Sequence, residues 1–244
     1  MAEILGFEIE FGLFEVAGNP NLTFIFFLGL SLLAILGWRF AYYAHLNMAR
    51  TEIDIQIPIW RYLRYVGVLA ALYGTVGVVE ISSSLVFDSK NGLILGMTLA
   101  LAFSLRQIQF TASGSDQQSR LERIGRIFFI ALVVAYVIAV STGGQNVVTA
   151  ALEGLTALGF VTYGTISYHE QTADSRLQGT MLDSLLRHLL PVLTFASLIS
   201  IVALAIPFNL PRIVVLHIQV VFVIMTATAL MTATIKLRQN LAGL

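Results

Sequence analysis

Seven long apolar stretches, separated by short polar connections, take up almost all of the 244 residues. A chain patterned this way has too little polar surface to fold in water. Hydrophobic residues make up 57% of it and charged residues only 11%, well outside the usual composition of a water-soluble domain. A bilayer core about 30 Å thick takes roughly 20 helical residues to cross. Seven crossings therefore use about 140 residues and leave room only for connections and ends. Lipid offers no partner to a backbone N–H or C=O, and a helix satisfies both within one segment. The expected fold is all-α: one domain over residues 1–244, an integral membrane bundle of seven transmembrane helices, multi-pass in the cell membrane with the lipid bilayer as its first partner.

Apolar runs and breakers place the spans at about residues 22–43, 60–87, 93–110, 127–140, 147–168, 189–206 and 213–235. Trp38, Arg39, Tyr42 and Tyr43 form an aromatic and basic anchor at the end of the first. The run Asp88-Ser-Lys-Asn-Gly92 makes a tight turn, and Ser141-Thr-Gly-Gly144 stops the fourth span. Pro207 and Pro211 bracket the last connection. Pro191 falls in the expected first turn of the sixth span, where proline is tolerated. Between Thr51 and Trp60, Ile53, Ile55, Ile57 and Ile59 alternate with other residues, a period of two that predicts extended chain. The longest polar connection, 111–126, is expected to lead into a helical extension. Residues 1–21 interleave Glu3, Glu8, Glu10 and Glu15 with large apolar residues, which predicts an extracytoplasmic segment lying at the interface, helical or extended. The first span follows acidic residues and lacks a small-residue cleavage pattern, so it is expected to be retained rather than removed as a signal peptide.

Basic residues fix an expected orientation. Of 14 Lys and Arg residues, all but Lys90 and Arg212 fall on the connections after spans one, three, five and seven. The positive-inside rule puts those connections in the cytoplasm, with the N-terminus outside and the C-terminus inside. The clusters Arg61 with Arg64, and Arg120 with Arg123 and Arg126, suit anionic headgroups or a cytoplasmic or membrane protein partner docking on these Arg-rich connections. Net charge is zero and no extended basic face exists, which argues against nucleic acid. With no Cys, disulfides, thiol catalysis and thiolate-bound metal are excluded. No complete catalytic or nucleotide motif is present, so the chain reads more as a non-enzyme than as an enzyme.

An ionisable group inside a bilayer costs about 2.5–3.5 kcal/mol on insertion scales, so each one needs a reason. Glu80, Glu153 and His217 are the candidates, all at similar depth in the outer half of the expected bundle. Gly67, Gly74, Gly77, Glu80 and Ser84 share a stripe on the second span, and small residues mark close helix approach, which turns Glu80 inward. Thr149, Glu153, Thr156 and Phe160 form a polar stripe on the fifth span, expected to face the bundle. On the seventh, Thr228 with Thr232 and Ala229 with Ala233 give a packing face below His217. Two carboxylates and an imidazole around one outward-opening pocket could bind a cation or exchange protons. The plainer alternative has each group reaching the nearby interface or bonding Ser82, Ser83 or Gln219. His45, His169 and His188 sit at the expected cytoplasmic boundary, weak candidates for a metal or haem because their spacing matches no ligand signature.

Seven helices with an external N-terminus resemble the topology of the microbial opsins. Retinal attachment there requires a lysine well inside the last helix, and 217–230 contains none. Lys236 lies too near the end, and 92–104 offers no carboxylate counterion. The resemblance is topological, and no retinal cofactor is expected. The hallmark motifs of G-protein-coupled receptors are absent as well. The leading expectation is a transporter or channel for a proton, cation or small solute. A retinal-free opsin-like sensor or accessory subunit of a membrane complex is the second, and a membrane redox subunit with haem or metal at the boundary histidines the third.

Overall fold

The computed structural model describes residues 2–4, 7–9, 12, 14–51, 56–113, 120–172 and 181–243. Seven helices carry the fold: α1 Pro20–Arg50, α2 Ile57–Ser82, α3 Asn91–Ser113, α4 Arg120–Gly143, α5 Val147–Thr172, α6 Met181–Ile201 and α7 Arg212–Ala242. Each contains a stretch long and apolar enough to cross a membrane. Ahead of them, β1 Ala2–Ile4 and β2 Phe7–Ile9 pair antiparallel, with Glu3 opposite Glu8. The N-terminal segment is thus extended over these residues.

The helices outrun the apolar stretches, because amphipathic polar residues at the end of a span still make good helix. Helix α1 continues past Tyr43 to Arg50, burying Ala44 and Asn47 while His45 and Arg50 stay exposed. Helix α4 begins at Arg120, two turns before its apolar run, as the helical extension requires. Helix α6 starts at Met181, so Pro191 lies in mid-helix and not in the first turn, a correction that follows from the polar run Asp183 to His188 being helical. Proline has no N–H to give the carbonyl four residues back, here that of Arg187. The strand-like alternation over 51–60 resolves differently at its two ends. Thr51 is extended, residues 52–55 lie outside the described part, and Ile57 to Trp60 form the first turn of α2, where Pro58 presets a helical φ. Helix α2 ends at Ser82, five residues short of the expected Phe87. Arg176 and most of the connection around it also lie outside the described residues.

Asn19 caps α1 by accepting from Leu22 N–H at 3.1 Å, and Pro20 follows at the first helical position. Gly144, at φ +65, closes α4. Asn146 then accepts from Val148 and Thr149 N–H at 2.9 and 3.0 Å, while Thr149 Oγ1 accepts from Asn146 N–H at 2.8 Å, a reciprocal cap on α5. After Ile201 the chain tightens into a 3-10 turn over Val202–Phe208 and breaks at Asn209, which takes a left-handed φ of 62 between the two prolines.

Packing centres on α1 against α2. A Cβ on Gly37 would stand 2.5 Å from Ala71 N, one on Gly67 2.5 Å from Ala41 N, and one on Gly74 2.5 Å from Leu30 O. Backbone meets backbone at three successive levels, the close approach that the glycine stripe predicts. Helix α7 lies against α1 and α6, and α3, α5 and α6 pack on one another. Helix α4 is the least buried of the seven, with Ile124, Ile127, Phe128, Ile130, Val134 and Ile138 all facing outward.

At the end where the chain finishes, Asn47 donates to Leu237 O at 3.1 Å, accepts from Asn240 Nδ2, and Arg50 donates to Leu241 O at 2.9 Å. These bonds tie α1 to α7. The expected packing face of α7 is split. Ala229 and Ala233 are buried beside Thr226 and Leu230, whereas Thr228 and Thr232 are exposed, two helical faces being too many for one line of contact.

A side chain at the α1–α2 contact has nowhere to go. Gly67→Leu is expected to lower the thermal unfolding midpoint in detergent, with overpacking costing about 1–3 kcal/mol. Gly159→Leu on α5, where a Cβ meets nothing within 4 Å, is expected to leave it unchanged. Helical circular dichroism against temperature measures both.

Candidate functional site

The end of α2, the starts of α3, α5 and α7, the 3-10 turn after α6 and the chain before α1 surround a cavity of about 480 Å³. Its wall carries Glu15, Glu80, Asp88 and Glu153 against Lys90 and Arg212, with Asn91, Gln145 and Gln219 as neutral donors and acceptors. Phe26 and Leu30 of α1 and Tyr73 of α2 form its apolar side. Two of the three predicted residues, Glu80 and Glu153, are therefore brought to one cavity.

His217 does not join them. It is exposed, its Nδ1 lies 2.7 Å from Ile213 O on its own helix, and it heads an outward stripe with Val221, Ile224 and Thr228. The reason is angular. At about 100° per residue, the wall residues Val215, Leu216 and Gln219 fix which face of α7 looks inward, and position 217 is two steps round from Val215 and from Gln219. Similar depth does not imply the same face.

The two acids stand in opposite electrostatic situations. Glu80 is spent on local structure: one oxygen pairs with Lys90 Nζ, and the other accepts from Phe87 N–H at 2.8 Å. It thereby folds the connection 83–90 back over the end of α2. Gly12 and Phe14 complete that end, donating their N–H groups to Ser82 O at 3.3 Å and Ile81 O at 2.9 Å, where a helix leaves its last carbonyls open. Gln145 reaches Asp88 O from the next connection.

Glu153 is buried, at 2% exposure. Its Oε2 accepts from Tyr136 Oη at 2.9 Å and from Asn91 Nδ2 at 3.1 Å. Its Oε1 has no hydrogen-bond partner. Ser200 on α6 is the hydroxyl beside this carboxyl, yet no bond of acceptable geometry joins them, and Ser200 Oγ is buried without a partner too. The stripe Thr149, Glu153, Thr156 and Phe160 is buried throughout, as its spacing predicts. Thr149 turns to the helix cap, which leaves Glu153 and Thr156 as its inward polar groups.

Beyond Glu153 the bundle closes. A Cβ on Gly164 of α5 would lie 2.4 Å from Leu193 Cδ2 and 3.5 Å from Ala102 Cα, so α3, α5 and α6 meet there without a gap. Gln219 donates to Ile199 O at 2.9 Å, close to the junction where α6 changes to 3-10 bonding.

Several of these groups were hidden in the sequence. Lys90 reads there only as one of two basic residues on the wrong side, not as the partner of Glu80. Tyr73 carries a signal that could have been used: it lies in the middle of its apolar run, where the interfacial role of tyrosine does not apply and a buried phenol needs a partner. Tyr136, one turn inside the end of its run, carries no such signal. Nothing local marks Asn91 or Ser200. His45 and His169 are exposed, and His188 Nδ1 lies 2.6 Å from Ser184 O of its own helix. Among the described residues no three His, Cys, Asp or Glu side chains gather to hold a metal. Comparison with protein-family models, curated proteins and solved structures finds no match.

If Glu80 holds the connection, Glu80→Ala frees both Phe87 N–H and Lys90. A hydrogen bond to a charged group contributes about 1.5–3 kcal/mol, or roughly 10–100-fold in local opening. Amide hydrogen exchange at Phe87 is expected to speed up by that factor, while Glu153→Gln leaves it as it is.

Proposed function

We propose that the chain moves a proton or small cation, taking it from the extracytoplasmic side into this cavity and binding it at Glu153. The observation that carries the reading is the second oxygen of Glu153, buried on a helix long and apolar enough to cross a membrane and left without a partner. A half-satisfied carboxyl there is costly, and intramembrane ionisable groups mark ion and proton pathways more often than packing sites. The cavity wall adds to this. Its four acids exceed its two bases, and with Lys90 paired to Glu80 three acids remain against Arg212, so the site favours positive charge.

In this reading Glu153 is the ligand and Glu80 a positioning residue that holds the rim through Lys90. Asn91, adjacent to Lys90, carries any movement of that rim directly to Glu153. His217, outside the cavity, has no part in it. The closed contact at Gly164 means that occupancy from one side and release to the other require the helices to shift, which makes the protein a carrier or a gated pathway in preference to an open pore.

Orientation belongs to the same proposal. The cavity lies at the end with few basic residues, and the positive-inside rule places that end outside, with the C-terminus in the cytoplasm. The chain has no native cysteine, so single substitutions report cleanly. In intact cells an impermeant maleimide is expected to label Ser89→Cys, and to reach Gln239→Cys only after the membrane is opened.

Reconstituted in liposomes, the protein is expected to conduct or exchange the ion in a way that Glu153→Gln abolishes while the helical spectrum is kept. Glu80→Gln should reduce the flux less, and His217→Ala should leave it unchanged. Undiminished flux in Glu153→Gln rejects the proposal.

A further inference from the structure

Deepening that reading by naming its ion, we infer that the occupant is a dehydrated monovalent metal cation of sodium size, held between α5 and α6 by Glu153, Ser200 and Ser197. The argument begins from how the helix hydroxyls behave. A serine or threonine in a helix commonly returns its hydroxyl to a carbonyl three or four residues back. Buried Thr98, Ser104, Ser167, Thr226 and Thr234 all do so, at 2.7–3.0 Å. Ser197 and Ser200 do not: both are fully buried, and both oxygens lack any partner.

These two serines are three residues apart, one turn of α6, and so share a face. Glu153 and Thr156 on α5 have the same spacing, and Thr156 is buried as well. Helices α5 and α6 pack together, with Ser200 beside Glu153. Three of the five buried polar side-chain atoms left without a hydrogen bond among the described residues, Glu153 Oε1, Ser197 Oγ and Ser200 Oγ, therefore fall on this one helix pair.

A single proton does not answer that need. Placed on Glu153 it could satisfy Oε1 and one hydroxyl, leaving Ser197 stranded a turn deeper. A cation accepts lone pairs from every oxygen around it at once, and a set made only of oxygens suits a hard ion. One carboxylate balances one positive charge, which selects a monovalent ion over a divalent one. The local backbone fits as well. Helix α6 gives up α-helical bonding at Val202, two residues past Ser200, so the serines lie next to its loosened end.

The test uses purified full-length protein in detergent, titrated with sodium chloride against choline chloride at constant ionic strength. At a hundredfold excess over its dissociation constant, sodium is expected to raise the unfolding midpoint by roughly 5–10 °C. Glu153→Gln and the double variant Ser197→Ala with Ser200→Ala should each lose that shift while matching the parent midpoint in choline. An equal effect of both salts, or a shift that survives in the variants, overturns the inference. If a variant fails to fold, sodium-23 line broadening on the parent protein decides instead: no saturable broadening means no site. Liposome flux separates this from the transport reading. Glu153-dependent flux that continues with all sodium replaced by choline identifies a proton, which rejects sodium and leaves transport standing. A sodium shift lost in the variants, with no flux at all, keeps the site and removes transport.

Discussion

Backbone touching backbone between α1 and α2 is the contact from which the cavity follows. Gly37, Gly67 and Gly74 allow it, each with no space for even one extra carbon. In a lipid solvent there is no hydrophobic gain from joining two apolar helices, so close packing and dispersion must supply the association. One turn past the last of these contacts, Gly77 gives way only to the Leu30 side chain, and the helices begin to part. The widening opens at Glu80. The same tight pairing that excludes all else below leaves the wall of the cavity above.

Within that space two carboxyl groups at similar depth have been given different work. Glu80 meets an ammonium and an amide, so both its oxygens are engaged and its connection is fixed. Glu153 meets a phenol and an amide on one oxygen only. A saturated acid is a structural element. An unsaturated one, kept buried at the cost of desolvation, retains the capacity to bind. The asymmetry comes from chain connectivity: the turn after α2 delivers Lys90 to Glu80 and, in the next residue, Asn91 to Glu153, so the occupied acid and the available acid are joined by adjacent side chains.

Much of this was legible in the sequence, for physical reasons that also define the limit. Span number, the stop at Gly144 and the stripes on α2 and α5 depend on the helical repeat and on local bonding, and Gly67, Glu153 and Gly144 sit as these demand. What failed was rotation about a helix with weak amphipathic character. Helix α7 is apolar nearly all round, so its sequence does not say which side faces in, and His217 was assigned by depth and by small residues below it, of which Thr228 and Thr232 face outward. Partners between helices were equally out of reach. The bonds of Tyr136 and Asn91 to Glu153 join residues 17 and 62 positions apart, and neither separation follows from any period. Span ends erred both ways, α1 running on to Arg50 and α2 stopping at Ser82, since hydropathy registers the edge of the oil and not the end of the helix.

The two irregularities of α6 bear on how a one-ended cavity could serve movement across the bundle. Pro191 removes a backbone bond on one side, and the 3-10 turn beginning at Val202 weakens bonding on the other. Between them, residues 192–201 form a short helical piece that carries both unpartnered serines. Leu193, the side chain that closes the bundle at Gly164, belongs to the same piece. The unpartnered serines and the leucine packed at Gly164 are thus on one helical piece with weaker bonding at each end. A force acting on Ser197 and Ser200 acts on Leu193 through an unbroken turn of helix, and the contact it would have to break, leucine against glycine, is apolar and free of hydrogen bonds.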